Sequence, residues 1–346
     1  MQCSKCGTVV SVGDRFCEEC GTSLTSASAT PQSTDRDKEE NPKSQIPNPK
    51  SIDGCEKCGA SPEDIDAEGY CSNCGFRNQS RENDRIEVIC SPHLGGVSDR
   101  GLRHHRNEDY LACAAVDGRQ AYVLVVCDGV SSSQEPDLAA KAAAESACMT
   151  LKAVIEKGDT KGSALPGFLR EAMKKAIASA LASVSAIPYI TGADADLPST
   201  TIVAAVVQGN TATIGWLGDS RAYWISPNGS QQLTQDDSWL NDVVASGQMT
   251  EAEAGKSDLA HAITRWLGAD AIADSEPSIV NFDIPGSGYL LLCTDGLWNY
   301  ASETTQIEKI VKSRSDADAV SVARGLVEFA RSQGGHDNIT VALLSL

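Results

Sequence analysis

VLVVCDGV, residues Val123 to Val130, is an apolar run that ends abruptly in an acid and a glycine. A strand accounts for the run and a turn for the Asp-Gly. That reading leaves Asp128 at the rim of a sheet, held by rigid backbone with its carboxylate accessible. Strand-end acids recur at Asp219 in IGWLGDSRAYW, Asp295 in YLLLCTDGLW and Asp337 in GGHDNITVALL. Any one of them alone reads as an ordinary turn. Taken together with the adjacent Glu108 and Asp109 of SDRGLRHHRNEDYLA (98–112), they do not. Like charges converging on one point repel and are retained only where cations neutralise them. Hard oxygen donors of this kind suit Mg²⁺ or Mn²⁺.

Working outward, strand-like segments run over Tyr110 to Val116, Ala121 to Cys127, Thr201 to Val207, Thr211 to Leu217, Ala222 to Ser226, Tyr289 to Cys293 and Ile339 to Ser345. Short turns such as QGN and PNG join several of them, so neighbours are expected to pair antiparallel. Helical periodicity covers Asp137 to Lys157, Leu169 to Ala186, Glu303 to Ser313 and Ala317 to Ser332. Between Ser238 and Leu267, TEAEA predicts a helix start capped by Thr250 with Glu253 at the capping-box position. The order of strands, two helices, strands, helices and a last strand predicts an α+β fold, not a strict βαβ alternation.

The 346 residues accommodate one large domain and something small. A formal charge of −18 repels phosphate backbones and anionic lipid, so nucleic acid and membrane surfaces are not the expected partners. The start MQCSKCG has neither a basic n-region nor an apolar h-region, and no stretch approaches a membrane span. A cytoplasmic location is expected. Of the 13 cysteines, eight form Cys-x-x-Cys pairs, each followed by glycine: Cys3/Cys6, Cys17/Cys20, Cys55/Cys58 and Cys71/Cys74. Two such knuckles aim four thiolates at one ion, and the glycine frees the backbone to bend. Two structural Zn²⁺ ions are therefore expected, each supplying most of the folding energy of a module with almost no core. The other cysteines, Cys90, Cys113, Cys127, Cys148 and Cys293, are scattered among apolar neighbours and read as buried free thiols. The polar stretch between the pairs lacks periodic apolar residues and reads as a disordered linker. The predicted organisation is a zinc ribbon at 1–24, a linker at 25–52, a second ribbon at 53–78, a short linker at 79–85 and the large domain at 86–346.

Eight motifs in order, DRG…RNED, VVCDGV, STT, LGDSRAYW, LTQDDS, ITRWLG, LLCTDGLW and GGHDNITV, resemble the metal-dependent protein serine/threonine phosphatases, the PPM or protein phosphatase 2C family, over about Val97 to Val341. The resemblance implies a two-sheet antiparallel β-sandwich flanked by helices, in αββα layers, with the metal cluster at one edge. It implies hydrolysis of phosphoserine and phosphothreonine by a water bridging two Mn or Mg ions. Asp128 would bridge them, Asp295 and Asp337 would complete the first ion's shell, the Gly129 carbonyl and Glu108 would serve the second, and Asp109 would hydrogen-bond metal-bound water. Asp219 would hold a third ion; the alternative for Asp219 is a tight turn fixed by contact with Arg221. Thr200 and Thr201 would pack behind the site, and Asn338 and Ser220 would shape turns.

The chain departs from the family pattern in several places. His104 stands where an arginine usually grips the substrate phosphate, so His104 as imidazolium, or Arg106, is expected to take that task. In an extended segment both share a face with Glu108, while Arg103 and His105 point away. DGVSSS replaces the family's Asp-Gly-His-Gly-Gly, Asn299 replaces an acid that assists the third ion, and Asp237 stands where a histidine is frequent. The expected partners are phosphorylated proteins and an opposing serine/threonine kinase system, with the ribbons contacting proteins. The rival expectation is a pseudophosphatase, a scaffold that binds phosphoproteins without turning them over.

Overall fold

Continuous apolar strands such as AYVLVVCD need cover on both faces, because successive side chains point to opposite sides of a sheet. In the computed structural model, which describes residues 55, 58–65, 71–75, 84–116, 118–158, 162–192, 196–270, 276–314 and 317–346, that cover is a second sheet on one side and helices on the other. In chain order the strands are β1 (Arg85–Ser91), β2 (Leu94–Asp99), β3 (Asp109–Val116), β4 (Ala121–Asp128), β5 (Ser199–Thr200), β6 (Ile202–Gln208), β7 (Thr211–Leu217), β8 (Arg221–Ile225), β9 (Gln231–Gln232), β10 (Leu267–Gly268), β11 (Ser278–Asp283), β12 (Tyr289–Cys293) and β13 (Ile339–Ser345). The helices are α1 (Pro136–Lys157), α2 (Leu165–Ser185), α3 (Trp239–Ala245), α4 (Glu251–Ala254), α5 (Asp295–Trp298), α6 (Thr304–Lys312) and α7 (Ala319–Gln333).

The two large sheets have the orders β1-β2-β13-β12-β8-β9 and β11-β7-β6-β4-β3, β10 and β5 form a separate two-stranded ladder, and every strand pair is antiparallel. Period-two alternation sorts the side chains into layers. On β4, Val123, Val125 and Cys127 pack under α1 and α2, while Leu124 and Val126 enter the space between the sheets. On β13, Ile339, Val341 and Leu343 pack under α7, while Ala342 and Leu344 meet the opposite sheet. Burial of each such Val or Leu contributes about 1.5–3 kcal/mol. The result is the αββα sandwich expected from the motifs. Thr250 and Glu253 form the capping box that TEAEA predicts, with each side chain bonded to the other's backbone N–H.

Three longer strands escape the sequence reading. In β2, Leu94–Asp99, two glycines erase the apolar signal, yet all six residues are buried between β1 and β13. An added Cβ at Gly95 would come within 2.4 Å of Val320, and one at Gly96 within 2.4 Å of the Val341 carbonyl, so close packing explains the glycines. Strand β1 ends at once in Ser-Pro-His, and the mixed sequence SIVNFD of β11 becomes a strand through its register against β7.

Chain contacts divide the molecule into residues 1–81 and 82–346. In the first unit Cys55, Cys58, Cys71 and Cys74 bring their sulfurs within 4.8 Å of one another. Gly59 (φ 71°) and Gly75 (φ 67°) adopt the left-handed backbone that closes each knuckle, donating N–H bonds to the Cys55 and Cys71 carbonyls at 2.9 and 2.8 Å. Cys3, Cys6, Cys17, Cys20 and the 25–52 linker lie outside the described residues. No described helix is long and apolar enough to cross a membrane.

Candidate metal centre

The strand-end acids converge. Asp109 at the start of β3 pairs directly with Asp128 at the end of β4. Asp295 opens α5 just after β12, Asp337 precedes β13, and Asp219 lies in the β7–β8 turn. Burial pushes the carboxyls of Asp128 and Asp295 well above the usual range, and the neighbouring acids push them further: Asp109, Asp295, Asp337 and Asp219 act on Asp128, and Asp337, Asp219 and Asp109 on Asp295. Burial likewise raises Asp109 to about 7 and Asp219 to about 6. Acids gathered so closely that they resist ionising have the electrostatics of a candidate cation site.

Two buried oxygens, Asp109 Oδ1 and Asp295 Oδ1, have no hydrogen-bond partner in the protein. Oxygens of this kind are normally satisfied, and here they belong to an all-oxygen donor set suited to Mg²⁺ or Mn²⁺. The other oxygens are oriented. Thr294 Oγ1 donates to Asp109 Oδ2 at 2.9 Å, and Asn299 Nδ2 donates to Asp295 Oδ2 at 3.2 Å. Gly129 donates its N–H to the Glu108 carbonyl at 3.1 Å, and a Cβ there would lie 2.5 Å from the Pro136 carbonyl, so only glycine allows α1 to begin against the strand end.

Behind the acids, the N–H of Thr201 and the hydroxyl of Thr200 both donate to the Asp128 carbonyl at 2.8 Å, and Thr201 Oγ1 bonds Ser220 Oγ at 2.8 Å. These groups fix the backbone of Asp128 from the buried side. The β7–β8 turn is built differently from the Asp219–Arg221 contact given as the alternative for Asp219. Arg221 makes a bidentate pair with Asp236, at 2.9 and 2.7 Å, and stacks 3.8 Å from the centre of the Trp298 ring. Trp298 Nε1 in turn donates to the Asp219 carbonyl at 3.0 Å. A fork-shaped guanidinium matches the two oxygens of Asp236, which leaves the Asp219 carboxylate unclaimed by Arg221. Asp237 accepts from the Gly218 N–H and from Arg265, both at 3.0 Å.

The basic loop is a series of turns, not an extended strand, and still delivers both named side chains to the acids. His104 Nε2 lies 3.2 Å from Asp337 Oδ1. Arg106 Nε donates to Glu108 Oε1 at 2.7 Å, and its NH1 lies 3.5 Å from Asp137. Ser131 Oγ, from the DGVSSS departure, donates to Glu108 Oε2 at 2.6 Å. Sequence reasoning missed the clamp that holds this loop. Asn338 accepts from the Glu108 N–H at 2.7 Å and donates to the Arg100 and Arg106 carbonyls at 2.8 and 3.0 Å. Its place beside Asp337 is visible in the sequence, but its partners, some 230 residues away in the chain, are not.

With this geometry in hand, the family profile described as Protein phosphatase 2C matches residues 101–329, and the one described as Double zinc ribbon matches residues 3–75. The serine/threonine phosphatase stp of Listeria welshimeri is 29% identical over 251 residues, spanning 71% of this chain and 93% of that protein. Among solved structures, the Mycobacterium tuberculosis serine/threonine phosphatase PstP/Ppp superposes with a TM-score of 0.57 at 27% identity, covering 75% of this chain and 99% of that one. The catalytic domain of serine/threonine protein phosphatase PstP in complex with 2 manganese ions gives 0.54 at 25% identity, covering 73% and 97%.

Proposed function

The chain belongs to the protein phosphatase 2C family and is a serine/threonine protein phosphatase, and we propose that it hydrolyses phosphoserine and phosphothreonine in proteins with two divalent cations held by the converging acids. The observation that carries this reading is the convergence of buried Asp109 with half-buried Asp128, Asp295 and Asp337, with two carboxylate oxygens left unpartnered. Asp128, Asp295 and Asp337 would hold one ion, and Asp128, the Gly129 carbonyl and Glu108 the other, with Asp219 and Asp295 available to a third. Mn²⁺ or Mg²⁺ bound there supplies Lewis acidity and activates a water as nucleophile.

The protein's own groups prepare that chemistry. Arg106 and Ser131 fix both oxygens of Glu108. Thr294 fixes one oxygen of Asp109, so the other is free to orient a nucleophile. The His104 ring beside Asp337 and the Arg106 guanidinium beside Glu108 place two donors at the mouth of an acidic centre, where a phosphate dianion needs them. Asn338 clamps the loop that carries them, so the donors stand in position before substrate arrives.

Phosphorylated proteins are the proposed substrates and a serine/threonine kinase system the proposed counterpart. In the first unit, Cys55, Cys58, Cys71 and Cys74 fit one tetrahedral Zn²⁺, and the ribbons would serve protein contacts. Release of phenol from a small aryl phosphate, with and without added Mn²⁺, tests the reading. A phosphoprotein-binding scaffold would bind the compound and release nothing.

A further inference from the structure

Three cysteines outside the Cys-x-x-Cys pairs gather at an open edge of the sandwich. Cys90 sits on β1 where the pairing with β2 slips: Ile89 opposes Gly95 and Ser91 opposes Leu94, which leaves Cys90 as a bulged residue. A bulge re-aims its side chain out of the ladder. Here it turns toward β3, the edge strand of the other sheet, and the Cys90 thiol donates to the Cys113 carbonyl at 3.2 Å. The Cys113 side chain is also within hydrogen-bonding reach of Cys90. Cys148 on α1 faces the same point and is 7% exposed, whereas Cys90 and Cys113 are half-buried. Lys152 lies one helical turn beyond Cys148.

The three thiols differ in character. The hydrogen bond with Cys113 lowers Cys90 to about 7 against the opposing effect of burial, and the Lys152 charge adds to the lowering. The same hydrogen bond, together with burial, raises Cys113 well above the ordinary thiol range, and burial pushes Cys148 up to about 12. A half-buried thiol shifted toward neutrality beside one held protonated matches the pairing of attacking and resolving sulfurs. Cys127 and Cys293 are fully buried and take no part.

We propose that Cys90 and Cys113 form a peroxide-responsive dithiol site that closes into a disulfide between β1 and β3, joining the two sheets. The Cys90 thiolate attacks one oxygen of hydrogen peroxide. The O–O bond breaks, the departing hydroxide takes up the proton shed by the thiol to leave as water, and Cys90 becomes a sulfenic acid. The Cys113 sulfur then attacks the Cys90 sulfur, the S–O bond breaks, and its oxygen leaves as a second water carrying the Cys113 proton. Two thiols are oxidised by two electrons, and one peroxide is reduced to two waters. The bond closes residues 90–113 into a covalent ring that contains His104, Arg106, Glu108 and Asp109. The proposal rests on thiol geometry and is independent of phosphatase turnover.

The test uses the full, zinc-loaded chain, treated with a modest excess of hydrogen peroxide, alkylated, digested with trypsin and mapped by mass spectrometry. Each candidate thiol lies in its own tryptic peptide: Cys90 in 86–100, Cys113 in 107–119 and Cys148 in 142–152. The expected product is 86–100 linked to 107–119, reversed by dithiothreitol. Cys90→Ser should lower the linked yield by about tenfold or more, Cys113→Ser should leave Cys90 as a sulfenic acid captured by dimedone, and Cys148→Ser should leave the link in place. Linkage of 86–100 to 142–152 in the unaltered protein overturns the assignment. So does full recovery of alkylated Cys90 and Cys113 at a peroxide dose that already oxidises the ribbon cysteines, a result that needs no variant to fold.

Discussion

The two candidate metal-ligand sets in this chain are built in opposite ways. In the ribbon, Cys55, Cys58, Cys71 and Cys74 come from two knuckles on a short segment, and among the described residues there only Cys55 and Cys71 are buried. The ion would make that fold. In the sandwich, Asp109, Asp128, Asp219, Asp295 and Asp337 are carried to one point by sheets with three continuous apolar layers of their own. There the fold makes the proposed ion site, and the gathered acids oppose the fold that gathers them. The comparison teaches that removing metal should abolish structure in one region and function in the other.

The largest expected effect breaks the sandwich side of that contrast. Asp128→Asn or Asp295→Asn should lower kcat/KM on an aryl phosphate by about 100-fold or more, since each removes a carboxylate from the proposed ion shell. Turnover within a few-fold of the unaltered protein would remove these residues from the centre.

Next in size is a stability effect of opposite sign. In chelator, the raised carboxyls of Asp109 and Asp219 keep their protons in the folded state at pH values where the unfolded chain has lost them. Their contribution is intact below about pH 4 and is lost as pH rises through about 6 to 7. Metal-free stability should therefore fall across that window by about 2–4 kcal/mol, and Asp128→Asn should reduce the fall. Urea unfolding followed by tryptophan fluorescence reads the sandwich alone, because all five tryptophans lie after residue 81. A metal-free midpoint that rises or stays level between pH 4 and 7 would show that the acids do not strain the fold.

The basic loop should respond more gently. Arg106→Ala and His104→Ala should each raise KM by about three- to tenfold with a smaller change in kcat, as expected for groups that hold the phosphate ester in ground and transition state alike. A kcat loss with unchanged KM would make Arg106 an orienter of Glu108 instead.

The smallest effect belongs to the ribbons. A chain beginning at Glu82 should fold and hydrolyse aryl phosphate within about twofold of the full protein, because small substrates need no partner contact. Zinc analysis should return two ions for the full chain and one for Cys71→Ser. Failure of the shortened chain to fold would erase the contrast drawn above.

The acids were legible because strand-end Asp residues after apolar runs are local signals, and the glycine after each Cys-x-x-Cys marked a turn that Gly59 and Gly75 make. Strand β2 and the Asn338 clamp were not. In LGGVSD the stabilising contacts belong to β1, β13 and α7, so no window of sequence contains them. Asn338 reads as a turn residue until the loop from Arg100 to Glu108 is folded against it. Arg221 illustrates the same limit: its neighbour Asp219 is the obvious partner along the chain, yet Asp236 receives its guanidinium.

The sequence alone therefore determined the α+β class, the candidate acids and the Cys-x-x-Cys sets, because periodicity and ligand spacing are properties of short segments. The tertiary structure decided which acids meet, which oxygens remain unpartnered, where Arg106 and His104 point, and that Cys90 lies against Cys113. Those facts depend on strand register and on packing between segments distant in the chain, where a shift of one residue would turn every side chain to the other face.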